Sequence, residues 1–259
     1  MMERDIVLAG TGNVASHIAH ALAGRIAAVC SRTPDHARDL AQENNIPAWG
    51  SLTDVVSFKP AIVIISVADN AVDRVVEAIG NIASAPLVVH TSGTVQKERL
   101  APISPRTGVL YPLQTFSKNT FVDMARVPFF TEAAVADDYA ILDGVASCIS
   151  ATVHHADAHQ RSKLHIAGVF SSNFIVEMLD IAGQVLAEEN YPLETVRPLV
   201  EATVAKVFAI GPHDALTGPA KRGDKAVMDI QRAALDNDLQ KIYDSISDYI
   251  IKTHNVCLK

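Results

Sequence analysis

From Asp5 to about His155 the chain alternates short apolar runs with longer amphipathic stretches. The runs are "DIVLA", "IAAVC", "AIVIIS", "PLVVHT", "TGVLYP", "RVPFFT" and "ATVHH". Their near-continuous apolar character predicts strands buried on both faces, as in a parallel sheet covered by crossover helices. After His155 the period changes. "DAHQRSKLHIAGVFSSNFIVEMLDIAGQVLAEEN" carries no strong breaker and reads as one helix, spanning roughly 50 Å at about 1.5 Å per residue. It is apolar on most faces between Leu164 and Leu186, which predicts a helix central to its domain rather than one on the surface. "ETVRPLVEATVAKVFAIG", "RGDKAVMDIQRAAL" and "DLQKIYDSISDYIIKTH" supply further helices, and Pro198 starts or kinks one of them. The expected architecture is α/β: a doubly wound, mostly parallel sheet over residues 1–155, then an all-helical domain over 156–259, with no internal repeat or low-complexity linker.

With 259 residues, 49% hydrophobic and 20% charged, the chain has the composition of a soluble globular enzyme and length enough for two modest domains. A net charge of −7 argues against a nucleic-acid or anionic-membrane binder, which needs a net basic face, so any anion site must be local. Cys30, Cys148 and Cys257 are scattered and lack CxxC spacing; neither a disulfide framework nor a zinc knuckle is expected, and a reducing cytoplasm fits. Met1 to Asp5 leads directly into the first strand without room for a leader. No stretch reaches the roughly 18 to 20 uninterrupted apolar residues of a membrane span.

The first unit reads strand "DIVLA", turn "GTGN", helix "VASHIAHALAG", strand "IAAVC". In that context Gly10 allows the tight turn, Gly12 lets a pyrophosphate approach the backbone, and Ala15 lets helix pack closely on strand. Gly10, Thr11, Gly12, Asn13 and Val14 are therefore the candidate dinucleotide site, with the helix N-terminus presenting N–H groups to the phosphates. At the end of the second strand an NAD site carries an acid for the ribose 2′-OH. Here Ser31, Arg32 and Thr33 stand in its place, a cation and two hydroxyls that suit a 2′-phosphate, so NADP is expected over NAD. Ser66, Val67 and Ala68, at the end of another strand, should wall the cofactor. His90, Thr91, Ser92 and Gly93 approach the nicotinamide or the substrate, or else cap a strand end.

With these pieces, "GTGNVASHIAHAL", "CSRTP" and "VIISVADNAV" resemble the NADP domain of the 6-phosphogluconate dehydrogenase-like superfamily, which includes ketopantoate reductase and pyrroline-5-carboxylate reductase. More specifically, "LYPLQTF", "RSKLHIAGVFSSNF" and "LTGPAKRGD" resemble the Rossmann-like proteins that carry a DUF2520 domain. The resemblance covers nearly the whole chain. It implies an N-terminal Rossmann-like domain, a helical C-terminal domain that dimerises, a cleft between them for a small-molecule substrate, and NADP-linked oxidoreduction with the substrate open.

Relatives that act on β-hydroxyacids place a lysine on the long helix with an asparagine one turn on. This chain departs from that pattern. Lys163 and His165 precede Asn173 by ten and eight residues, each roughly 80° off its face in a regular helix, while Ser172 lies nearer the His165 face. Histidine as a residue type titrates near neutrality, and His165 sits in the more apolar stretch, so His165 is the candidate acid or base with Asn173 as a carbonyl or cofactor-amide contact. Both have a packing alternative, a core histidine bonded to a carbonyl and a polar bond between helices. The matching motifs imply that Arg222 anchors a substrate carboxylate, that Tyr111, Pro112 and Gln114 line the cleft, and that Gln114 orients the substrate; Ser92, from its strand end, is a further candidate substrate contact, and Asp224 can cap the helix that follows Arg222. In "HHADAH", His155 and His159 at i, i+4 make a metal site conceivable, but the strand-end directions of His154 and His155 argue against one. The rival to an enzyme is a nucleotide-binding sensor or scaffold, suggested by the missing lysine pattern.

Overall fold

The apolar runs become strands β1 (Ile6–Ala9), β2 (Ile26–Ser31), β4 (Ile62–Ile65), β5 (Leu87–His90), β6 (Thr107–Pro112), β7 (Phe129–Ala133) and β8 (Val153–His155), and an eighth, β3 (Ala48–Ser51), joins them. The computed structural model describes residues 4–118 and 120–258. The strands form one sheet in the order β3-β2-β1-β4-β5-β6-β7-β8. Every neighbouring pair is parallel except β6 with β7, which are antiparallel. Period-two alternation supplies both cores: Ile6 and Leu8 enter one and Val7 and Ala9 the other, and Ile62 and Ile64 split from Val63 and Ile65 in the same way. β3 escapes a hydropathy reading because "AWGS" is a short edge strand whose side chains are only partly covered.

Helices α1 (Asn13–Ala21), α2 (Pro34–Glu43), α3 (Val72–Ile79) and α4 (Asp138–Ser147) flank the sheet. α2 begins at Pro34, where a fixed φ suits a first turn. α3 buries Val72, Val75, Val76 and Ile79, the i, i+3, i+4, i+7 stripe of a covering helix.

The last strand ends at His155, and the regular elements that follow are helical. α5 (Ala158–Gly168), a π turn (Val169–Asn173) and α6 (Phe174–Ala187) run as one 30-residue helix. Asp157 caps it, accepting from Gln160 N at 2.8 Å while the Gln160 side chain accepts from Asp157 N at 3.0 Å. The helix is not buried as expected. Within the single chain no residue of α6 is buried, and Phe170 and Val176 are 65% and 66% exposed. Hydropathy marks a face that favours leaving water; it does not say that the same chain covers it. By length and mean hydropathy, 1.3 over its most apolar window, this helix meets the criteria for a membrane-crossing segment, although Glu177 and Asp180 interrupt its apolar run.

α7 (Arg197–Ile210), α8 (Pro212–Ala215), α9 (Pro219–Arg222), α10 (Lys225–Ala233) and α11 (Asn237–Thr253) complete the chain. Pro198 starts α7 rather than kinking it, and Asp224 caps α10 by accepting from Val227 N at 3.3 Å. By internal compactness the chain divides into two units after Glu177, within α6. The three cysteines are free; Cys30 is buried, and burial pushes its thiol up to about 12.

Candidate active site

The turn after β1 is fixed by close backbone packing. Gly10 takes φ +130°, donates its N–H to Cys30 C=O at 2.8 Å, and lies where a Cβ would stand 2.1 Å from the Ser66 carbonyl oxygen. A Cβ on Gly12 would meet nothing within 4 Å. Gly12 is also the N-cap of α1 and offers no side-chain cap, so the first-turn N–H groups remain available to an anion. An open backbone approach beside an uncapped helix N-terminus is what a pyrophosphate requires, and the residues fit a dinucleotide. Ala15 is buried against the sheet.

Two cavities share Gly12, Ser66, Val67 and Ala68 as a common wall along the carboxyl ends of the strands. The first, of about 350 Å³, is lined by Gly10, Thr11, Ser31, Arg32 and Thr33, and also by residues that the strand ends do not supply, among them His36, Ala71 and Arg74. Among the described residues no carboxylate lines it. Ser31 donates its hydroxyl to Thr33 C=O at 2.6 Å and so shapes the turn, while Arg32 is exposed at its edge. Arg74 stands in the first turn of α3, and only the sheet order brings it to the same cavity as Arg32.

The second cavity, about 530 Å³, adds Asn13, Val14, Asp69, Thr91, Ser92, Gly93, Tyr111, Pro112, Gln114, Phe116 and His165. Asn13 Nδ2 donates to Phe116 C=O at 2.9 Å, which draws the segment after β6 over the start of α1. Ser92 Oγ accepts from the backbone N–H of Thr94 and of Val95, each at 3.0 Å. Thr91 donates to Ser66 Oγ at 3.1 Å and Thr94 to Asp69, so the loop after β5 is tied at several points.

His165 reaches this cavity from α5. Its Nδ1 lies 3.3 Å from Tyr111 Oη. His165 and Asn173 also line a neighbouring cavity of about 450 Å³, with Gln114, Ser171 and Ser172. The π turn explains how they share it. A π turn winds by only about 80° per residue instead of about 100°, so five such residues bring an eight-residue separation to within roughly 20° of alignment. Lys163 is exposed and lines none of these cavities. Arg222, the last residue of α9, is exposed in the second unit and is outside the residues that line them.

Beneath the loop after β5 lies a buried ionic group that the sequence does not announce. Arg161, 1% exposed, pairs with Glu132 and donates to Val95 C=O at 2.7 Å, and Lys97 meets Glu132 at 2.5 Å. The metal-like histidines are engaged locally: His155 Nε2 meets Asp143 at 2.8 Å, and His154 packs on Phe130. Among the described residues no group of three or more His, Cys, Asp or Glu is placed to hold a metal.

His90 is 1% exposed and accepts from Ser92 N at 3.2 Å through Nδ1. Burial, with Arg161 nearby, pushes its pKa down to about 4. The folded protein therefore resists its protonation while the unfolded chain does not. Stability is complete above about pH 6.5 and falls by about 3 kcal/mol as the pH drops through that value to about 4. Urea unfolding over that range should show this slope in the wild type and lose it in His90→Asn; an unchanged slope would remove His90 as its source.

Two family models match the chain: "NADP oxidoreductase coenzyme F420-dependent" over residues 5–93 and "Domain of unknown function (DUF2520)" over 127–250. None of the curated proteins matches it. Among solved structures, a candidate NADP oxidoreductase from Bacteroides fragilis is 36% identical, with 98% of each chain covered and a TM-score of 0.86. A protein from Thermotoga maritima shares the fold at 21% identity, covering 96% of this chain and 99% of its own, with a TM-score of 0.80. A reductive aminase from Aspergillus terreus, solved with NADPH and ethyl-5-oxohexanoate, shares the fold at 13% identity, with 97% and 95% covered and a TM-score of 0.73. The chain belongs to the Rossmann-type NADP oxidoreductases that carry a DUF2520 domain.

Proposed function

We propose that the protein is an NADPH-dependent reductase of a small carbonyl or imine acid. The observation that carries this reading is a cavity bearing Arg32 and Arg74, with no carboxylate among the described residues that line it, which shares a wall with a second cavity that holds Ser92, Gln114 and His165. Bound there, NADPH supplies a hydride. Gly10 to Val14 would hold the pyrophosphate on backbone N–H groups, Arg32 with Thr33 the 2′-phosphate, and Ser66 to Ala68 the wall between the two ends. Ser92 and Gln114 orient the substrate, His165 supplies the exchangeable proton at the cavity, and Asn173 aligns with it across the π turn. A carboxylate on the substrate belongs to the proposal through Arg222.

The reading keeps residues 1–155 as the nucleotide domain and 156–259 as the substrate and dimerisation domain of a cytoplasmic homodimer. Exposed Phe170, Val176, Leu199 and Phe208 support a second copy of the chain as the cover for the helical faces, because apolar area of this kind is stabilised by leaving water.

The test is a titration of the purified protein with NADPH and with NADH, on wild type and Arg32→Ala, with light scattering on the same samples for the mass. NADPH should bind the more tightly, and Arg32→Ala should weaken it by about 10- to 100-fold while leaving NADH unchanged, the effect of losing a charge-assisted pair to phosphate. Equal affinity for both would make the site NAD-type, and binding of neither would remove the reductase. Tight binding without reduction of any of a broad panel of keto acids and cyclic imines would favour the sensor.

A further inference from the structure

Resting on the reductase reading of the same cavity, we infer that Tyr111 is a catalytic residue whose phenol gives the proton to the substrate's carbonyl oxygen or imine nitrogen, with His165 behind it as the group that returns that proton. Three observations carry this. First, the pair is built. Tyr111 Oη and His165 Nδ1 are 3.3 Å apart, and both rings sit over Gly93, where a Cβ would lie 2.8 Å from Nδ1 and 3.0 Å from Tyr111 Cζ. Any side chain at position 93 would push them apart.

Second, the two groups differ in their access to water. Tyr111 is 7% exposed and lines both the cavity that holds Ser92 and the cavity beside the π turn, whereas His165 is exposed. A buried phenol exchanges its proton slowly with solvent; an exposed imidazole exchanges quickly, which sets the order water, His165, Tyr111, substrate. Third, the phenol keeps its proton. Burial pushes the Tyr111 phenol up, and of the charges acting on it Arg161 on α5 opposes that shift while Asp69 after β4 adds to it. A phenol has one proton and two lone pairs, so when Nδ1–H donates to Oη the phenolic proton is left to face the cavity.

The step balances without a further reactant. As the substrate carbon gains hydride from the dinucleotide of the reductase reading, the Tyr111 O–H bond breaks and an O–H or N–H bond forms on the substrate. The phenolate takes the Nδ1 proton of His165 as a solvent proton arrives at Nε2, so each turnover consumes one hydride and one proton from solvent.

The experiment compares wild type, Tyr111→Phe and His165→Gln in three measurements. The first is NMR titration of the His165 ring without any ligand; Tyr111→Phe should move its midpoint, as removal of a direct hydrogen-bond partner does. The second is the tyrosinate absorbance assigned to Tyr111 by difference from Tyr111→Phe, whose midpoint should move in His165→Gln. The third is NADPH oxidation with keto acids and cyclic imines, where Tyr111→Phe should lose about 10²- to 10⁴-fold in turnover with its NADPH Kd unchanged. In this assay added imidazole should partly restore His165→Gln but not Tyr111→Phe. The unchanged Kd also shows that the phenylalanine variant folds. Wild-type turnover in Tyr111→Phe, or a His165 titration indifferent to it, overturns the inference alone. No turnover by the wild type on any compound overturns the reductase reading beneath it.

Discussion

Gly10→Ala is expected to cost about 4 kcal/mol of stability and to abolish measurable NADPH binding. An L-residue at φ +130° carries strain of about 1 to 3 kcal/mol on its own. The added Cβ would also stand 2.1 Å from the Ser66 carbonyl oxygen. That neighbour is backbone, held by the Ser66 N–H to Ala9 C=O bond of 2.8 Å between the ends of β1 and β4, so it cannot swing aside as a side-chain tip would. Relief requires the two central strands to separate at the place proposed for the nucleotide. In a chain of this size the loss corresponds to a fall in Tm of roughly 10 °C. Gly12→Ala is the control, because its Cβ meets nothing of the protein within 4 Å. It should keep the wild-type Tm yet weaken NADPH, since the methyl would occupy the approach of the pyrophosphate. A Gly10→Ala protein with unchanged Tm and affinity would show that the turn is not closed as described.

Glu132→Gln is the second large change, at about 3 to 5 kcal/mol, the cost of leaving a buried charge without its counter-ion. Arg161 is 1% exposed and Glu132 is its carboxylate partner; Lys97 keeps a second partner in Glu98 at 2.9 Å. The loss therefore falls mainly on Arg161, which also holds Val95 C=O in the loop that carries Ser92 and stands one turn before His165 on α5. Pairing Glu132→Gln with Arg161→Met should recover much of the stability, because no unpaired charge is left inside. The cycle is read by urea unfolding at neutral pH. A single variant as stable as the wild type would mean that Arg161 finds water or another acceptor. If the double variant is stable but its NADPH oxidation is slow, the ionic group serves to position the loop and the helix rather than to hold the fold.

Much of the nucleotide half is determined by the sequence itself. Strands buried on both faces must be apolar at successive positions, and a backbone that passes close to another at positive φ must be glycine, so the runs and Gly10 are legible without coordinates. The absence of an acid after β2 is equally local, and it points to NADP before any cavity is seen. Position 12 is legible for the same reason, since its demand is made by the ligand side of the turn.

The candidate catalytic residues are brought together by tertiary structure. A regular helix keeps His165 and Asn173 about 80° apart, and one wide turn realigns them. No periodicity announces that turn, because it changes the phase of the helix without changing its composition. Arg74 in one cavity with Arg32, Tyr111 against His165 over Gly93, and Arg161 with Glu132 join residues 42, 54 and 29 positions apart, and these meetings follow from the order and register of the strands. The apolar face of the long helix marks the same boundary. Local sequence fixes which backbone conformations and solvent exposures are favourable, whereas only the packed chain fixes which distant groups meet, and the residues of the candidate proton path are of the second kind.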